Sequence, residues 1–70
     1  MSTPFAVSVN GEEREVASGT TLEALVATLS SAHSGVAAAL NETVVPRAQW
    51  PTTALSAGDR VEVLTAVQGG

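Results

Sequence analysis

The chemistry open to this chain is limited first by the reactive side chains that it lacks. Its 70 residues include no cysteine, and the three basic residues are Arg14, Arg47 and Arg60, so there is no lysine. Thiolate chemistry, disulfides and cysteine-based metal sites are therefore excluded, as are amine nucleophiles and Schiff bases. A candidate for other chemistry is the carboxylate of the last residue, Gly70, which follows a second glycine, Gly69.

Paired glycines at the end of the sequence are suited to delivering that carboxylate into another protein's active site. Glycine has no Cβ, so Gly69-Gly70 is able to thread a narrow channel, and Gln68 is expected to enter it ahead of them. Four residues from Val67 onward reach at most ~13 Å, at roughly 3.3 Å per residue. A carboxylate must be activated before it reacts, commonly as an acyl-adenylate, and the chain has neither a phosphate-binding glycine loop nor a lysine for ATP. We expect a partner to activate it, although a Gly-Gly pair alone is also compatible with a frayed end.

Two other groups of titratable residues have simpler explanations. Glu12, Glu13 and Glu15 lie together on a predicted hairpin that borders no expected pocket, so they are expected to form a solvated face rather than an acid–base pair. His33 lies near the predicted end of a helix, where a positive charge is favourable, and metal binding would need several further ligands.

Composition narrows the class of partner. The formal net charge of −4 disfavours nucleic acid and favours a protein with a basic docking surface. Apolar residues make up 44% of the chain, enough for one folded domain over residues 1–70. No apolar run approaches the ~20 residues that span a bilayer, and no signal-like segment is found, so we expect no membrane association and a cytoplasmic location.

The first half of the chain predicts a hairpin followed by a helix. Phe5, Val7 and Val9 alternate at strand period, Asn10-Gly11 is a strong hairpin turn, and residues 13–16 form the return strand. A helix is predicted at about residues 21–32, with Thr20 as its cap and Glu23 completing a capping box. Its apolar stripe consists of Leu22, Leu25, Val26 and Leu29.

The second half predicts three more strands. Residues 36–40 and 43–45 flank a turn at Asn41-Glu42, and Pro46 ends the pairing. An irregular connection is predicted over residues 47–53, and Gly58-Asp59 forms a turn. The last strand follows, over residues 60–67, and the residues predicted to cover the helix from it are Val61, Val63, Thr65 and Val67.

The resulting order ββαβββ predicts an α+β fold in which one helix packs across a mixed sheet of four to five strands. Pairing the first strand with the last, parallel and central, gives the β-grasp (ubiquitin-like) arrangement. The helix then supplies the long crossover that parallel pairing needs.

Several segments resemble the ThiS/MoaD family of ubiquitin-like sulfur carriers, and the ThiS branch most closely. They are the Asn10-Gly11 hairpin, the helix from Thr20 to Leu29, the segment from Leu40 to Trp50 containing Val-Pro-Arg-x-x-Trp, Gly58 to Glu62, and Gly69-Gly70. The resemblance covers nearly the whole chain, and the Val-Pro-Arg-x-x-Trp segment is its most specific part.

This resemblance implies a carrier in the biosynthesis of the thiamin thiazole, not an enzyme. A ThiF-like adenylyltransferase would use its own ATP and Mg to adenylate Gly70, a cysteine desulfurase relay would supply sulfur for a thiocarboxylate, and thiazole synthase (ThiG-like) would accept it. No cofactor would be bound. The alternatives are the small subunit of molybdopterin synthase, a ubiquitin-like protein modifier, and an interaction domain with an inert tail.

Four residues are candidates for docking to these partners. Leu64 and Ala66 alternate with the core-facing valines and should point outward, and Val67 begins the tail. Arg47 lies in the Val-Pro-Arg segment and is expected to form an ion pair or anchor the backbone, with partner contact as the alternative. Trp50 is expected to serve packing, with its N–H satisfied locally.

Overall fold

The structure, a computed structural model, describes residues 3–29 and 35–65. In chain order the elements are β1 (Phe5–Val9), β2 (Glu12–Val16), α1 (Leu22–Leu29), β3 (Val36–Leu40), β4 (Thr43–Val44), a 3₁₀ helix (Arg47–Thr52) and β5 (Arg60–Thr65). Among these described elements, no helix is both long and apolar enough to cross a membrane.

All five strands form one sheet in the order β2-β1-β5-β3-β4. β1 and β5 are parallel, with Ser8 opposite Arg60 and Val9 opposite Val61, whereas β1–β2, β3–β5 and β3–β4 are antiparallel. The first and last strands are thus neighbours inside the sheet, as the sequence predicts. The β-grasp prediction is confirmed.

Both hairpins turn through residues with left-handed backbone. In the β1–β2 turn, Asn10 has φ 50° and Gly11 has φ 84°; in the β3–β4 turn, Asn41 has φ 51° and Glu42 has φ 73°. Two successive positive φ values are the signature of the type I′ turn, whose twist matches that of paired strands. Both predicted turns are confirmed, and the second one forces a glutamate into a conformation that usually favours glycine or asparagine.

One face of the sheet packs against α1 and the 3₁₀ helix to form the core. Buried residues alternate with half-buried ones along the end of β1 and with exposed ones along β5, which assigns Val7, Val9, Val61 and Val63 to this inner face. Helix α1 contributes Leu22, Leu25 and Val26, and the remaining buried apolar residues are Ala38, Trp50 and Leu55.

The helix begins one residue later than predicted, and its cap is a different threonine. Thr21 Oγ1 accepts a hydrogen bond from the N–H of Ala24 at 3.2 Å, which is the usual contact of an N-cap residue with the third helical position. Thr20 instead donates its hydroxyl to the carbonyl of Ala17 at 2.6 Å. The predicted capping box is therefore wrong, because the third position after the true cap is Ala24 and not Glu23.

Two further predictions need correction. The segment predicted to be irregular forms the 3₁₀ helix, because Gln49 N–H donates to the carbonyl of Pro46 and the short repeat closes around buried Trp50. Thr65, predicted to cover the helix, is exposed. Helix α1 is described to Leu29 and β5 to Thr65, so the rest of the predicted ranges, to 32 and to 67, lies outside the described residues.

Candidate functional site

The sheet face opposite α1, called here the outer face, carries an apolar patch. Cross-strand partners lie on the same face, and the pairs are Leu64 with Ala37, Glu62 with Ala39, and Ala39 with Val44. We define the apolar patch as Ala37, Ala39, Val44 and Leu64. Leu64 and Val44 are each 71% exposed, and they are the most exposed large apolar residues among those described.

The surroundings of Leu64 are open and acidic. A shallow depression at the ends of β3 and β5 is lined by Gly35, Val36, Ala37, Leu64 and Thr65. Glu62 lies beside the patch on the same strand and face and is exposed. An apolar surface bordered by a carboxylate is suited to a partner that offers an apolar contact and a basic side chain.

Strand β5 is held near both ends by asparagine side chains that come from the two turns. Asn10 bonds the backbone of Val63, through Nδ2 to the carbonyl at 3.2 Å and through Oδ1 from the N–H at 2.9 Å. Asn41 accepts from the N–H of Arg60 at 2.9 Å and donates to Asp59 Oδ1 at 3.0 Å. In the sequence both asparagines are recognisable only as turn residues, because their partners on β5 lie far away along the chain.

Arg47 and Trp50 interact with each other on the 3₁₀ helix. The guanidinium of Arg47 lies 5.2 Å from the centre of the Trp50 ring, a cation–π contact. Trp50 is 3% exposed and donates its indole N–H to the carbonyl of Val45 at 2.8 Å. The packing role predicted for Trp50, with its N–H satisfied locally, is confirmed.

The acidic hairpin differs from its prediction in one respect. Glu12, Glu13 and Glu15 are exposed along β2, but Glu15 also lines a shallow groove between β2 and α1, together with Arg14 and Leu25. A groove does border Glu15, contrary to expectation, but all three glutamates are exposed, as predicted for a solvated face. Within residues 3–29 and 35–65, no three His, Cys, Asp or Glu side chains are grouped as a metal site.

The remaining predicted site residues lie outside the described part of the chain. They are Ala66, Val67, Gln68, Gly69 and Gly70, and His33 likewise lies outside it. The last described residue before them is Thr65, which ends β5 and directly follows Leu64.

Comparison with known proteins supplies the family. The sequence model of the ThiS family matches residues 7–70. The sulfur carrier protein ThiS of Escherichia coli K12 is 31% identical over 61 residues, which cover 87% of this chain and 92% of that protein.

Two further similarities extend this result. A thiazole synthase of Paramagnetospirillum magneticum AMB-1 is 34% identical over 62 residues, covering 89% of this chain but only 19% of that protein, so this chain spans about a fifth of that relative. The crystal structure of the thiamine biosynthesis protein ThiS from Geobacter metallireducens matches with a TM-score of 0.76 and 30% identity, covering 94% of this chain and all of that one.

Proposed function

The chain belongs to the ThiS family, and from that premise we propose that it is a sulfur carrier for thiazole formation in thiamin biosynthesis, with the sulfur held at Gly70. The observation that carries the proposal is the family match, which runs to residue 70 and so includes the two glycines. The absence of cysteine agrees with it, because this chain has no side-chain thiol that could hold the sulfur.

The proposed chemistry takes place entirely at the carboxylate of Gly70. One carboxylate oxygen attacks the α-phosphorus of ATP on a ThiF-like enzyme, and pyrophosphate leaves. The desulfurase relay would carry sulfur taken from cysteine as a persulfide, and a thiol reductant that supplies two electrons would release this sulfur as sulfide. The sulfide then attacks the acyl carbon and displaces AMP. The product is a thiocarboxylate, in which sulfur replaces one oxygen. This chain acts in both steps as a substrate, and the partner enzymes supply the catalytic groups.

The outer face is proposed as the surface that docks to these enzymes. Leu64 and the rest of the apolar patch are exposed on the strand that leads to Gly70, so a partner that contacts the patch also lies beside the start of the tail. Residues 66–70 have a reach of at most about 17 Å when extended. Ala66, Val67 and Arg47 remain proposed docking residues, with Gln68 and Gly69 proposed to enter the partner's channel.

Thiazole synthase is the proposed acceptor of the sulfur. A relative that contains a stretch similar to this chain bears that name, which supports the pairing of the two activities. The carrier is therefore proposed to meet at least two partners, the activating enzyme and the synthase, in turn.

Intact mass spectrometry tests the proposal. The chain is incubated with a ThiF-like enzyme, Mg-ATP and sulfide, and the expected product is heavier by the exchange of one oxygen for sulfur, about 16 Da. Removal of Gly70 should abolish this shift, and Gly70→Ala, which adds a methyl beside the reacting carbon, should reduce it. High-mass conjugates would instead indicate a protein modifier, and an unchanged mass would contradict the carrier function.

A further inference from the structure

On the side of β5 that faces β1, backbone pairing stops before the strand ends, and the side chain of Asn10 supplies the missing hydrogen bonds. β1 pairs with β5 only as far as Val9 opposite Val61, after which the N–H of Asn10 donates to the carbonyl of Val61 at 2.9 Å and the chain turns away. The next β5 residue that faces β1 is Val63. Its N–H and carbonyl would lose their partner strand at this point.

The side-chain amide of Asn10 takes the place of the missing backbone. Its Oδ1 accepts from the N–H of Val63 at 2.9 Å and its Nδ2 donates to the carbonyl of Val63 at 3.2 Å, both partly buried contacts between residues 53 positions apart. An amide side chain offers one acceptor and two donors, so it imitates a peptide group in the ladder. The hydrogen-bonded ladder between β1 and β5 therefore reaches Val63, although β1 itself contributes no further backbone partner.

This contact fixes the end of β5 from which the tail departs. Val63 is followed by Leu64 and Thr65, which pair with Ala37 and Val36 on the β3 side. Without Asn10, this end of β5 would be held by β3 on one side only, and its twist and direction would be freer. We propose that Asn10 is a positioning residue for the activation of Gly70, holding Val63 so that the chain beyond Thr65 enters the activating enzyme in a reactive orientation.

The inference rests on the proposed function, but it concerns a residue outside the tail and outside the apolar patch. Its consequence is kinetic. A tail that starts in the wrong direction brings the carboxylate to ATP less often in reactive geometry, which lowers kcat. A protein that is only less stable has fewer folded molecules, which raises the apparent KM for the carrier and leaves kcat unchanged.

Asn41 supplies a matched control. Like Asn10, Asn41 is the first of the two central residues of a type I′ turn, and its φ of 51° is close to the 50° of Asn10. Its side chain also makes two hydrogen bonds, but these lie at the start of β5. Asn10→Gly and Asn41→Gly both keep a residue that tolerates positive φ and both remove two side-chain bonds. Asn10→Asp keeps the acceptor for the Val63 N–H and places a carboxylate against the Val63 carbonyl.

The test measures adenylation of the full chain by a ThiF-like enzyme as pyrophosphate release, with kcat and KM for the carrier resolved. Asn10→Gly should lower kcat about tenfold, as expected for a misplaced reactive group, whereas Asn41→Gly should leave kcat within about twofold of wild type. The kcat of Asn10→Asp should be lowered to a similar extent as that of Asn10→Gly. Equal kcat values for the two glycine variants, or a change in KM alone, would overturn the positioning role.

An independent measurement separates this inference from the carrier function. Amide hydrogen exchange by NMR on the isolated protein should show that the Val63 N–H exchanges about tenfold faster in Asn10→Gly than in Asn41→Gly. Unchanged Val63 exchange would refute the contact itself. If the wild-type chain were not activated at all, the carrier function would fail together with the kinetic role of Asn10, and that result is distinct from a variant-specific loss.

Discussion

Replacement of Leu64 by glutamate tests whether the outer face docks to the activating enzyme. Leu64 is 71% exposed and pairs only with Ala37 across the sheet, so the substitution leaves no cavity in the core. We expect the free energy of unfolding to stay within about 0.5 kcal/mol of wild type, as for most exposed substitutions. Any loss of activation would then reflect binding and not folding.

The size of the effect follows from the exposed area. Complete burial of a leucine side chain is worth about 1.5–3 kcal/mol, and the 71% that is still exposed corresponds to roughly 1–2 kcal/mol if a partner covers it. That range converts to an increase of about 5- to 30-fold in KM for the carrier, at roughly 1.4 kcal/mol per tenfold. Desolvation of the new carboxylate adds to this loss.

The assay is pyrophosphate release by a ThiF-like enzyme at varied carrier concentration, with unfolding by urea measured in parallel. Ala27→Glu is the matched control, because it adds the same charge on the opposite side of the sheet from the patch. Ala27 is exposed on α1. The control should change KM by less than twofold. A KM for Leu64→Glu within twofold of wild type, with folding intact, would refute the docking role of the patch.

Three predictions concern stability and are checked by urea or thermal unfolding followed by circular dichroism. Trp50→Ala should lower the free energy of unfolding by about 3–5 kcal/mol, because a residue only 3% exposed leaves a cavity and unpairs the carbonyl of Val45; a loss under 1 kcal/mol would contradict its core role. Thr21→Ala should cost about 1 kcal/mol as the loss of the true helix cap, and a larger cost for Thr20→Ala would reverse that assignment. Glu42→Gly should raise stability by roughly 0.5–1 kcal/mol, since it relieves a φ of 73° and loses only an exposed ion pair with Arg60; a decrease would show that the pair outweighs the strain.

Much of the fold can be predicted from local patterns in the sequence. The alternation of Val7 with Val9 and of Val61 with Val63 identifies two strands and their buried face, since period two places these side chains on one side. Asn10-Gly11 predicts the hairpin because its turn needs positive φ at both residues. The parallel pairing of the first and last strands followed from the helix between them.

The errors lie where a distant contact decides between local alternatives. Thr20 and Thr21 are equally good caps in sequence. The pairing of Thr21 with Ala54 and the hydrogen bond from the Leu22 N–H to the carbonyl of Thr53 start the helix at Leu22. The segment after Pro46 forms a 3₁₀ helix because burial of Trp50 against the core stabilises a tight turn that local propensity alone does not favour.

The candidate site divides in the same way. The amino-acid sequence by itself led to the chemistry proposed at Gly70, because the absence of cysteine and lysine and the Gly69-Gly70 pair depend only on composition and order. The tertiary structure alone decided how β5 is held: Asn10 reaches Val63 across 53 positions, and only folding brings a turn amide to the place where the partner strand ends. A contact between residues so far apart in the chain produces no periodic pattern in the sequence, because the local structure around either residue does not depend on it.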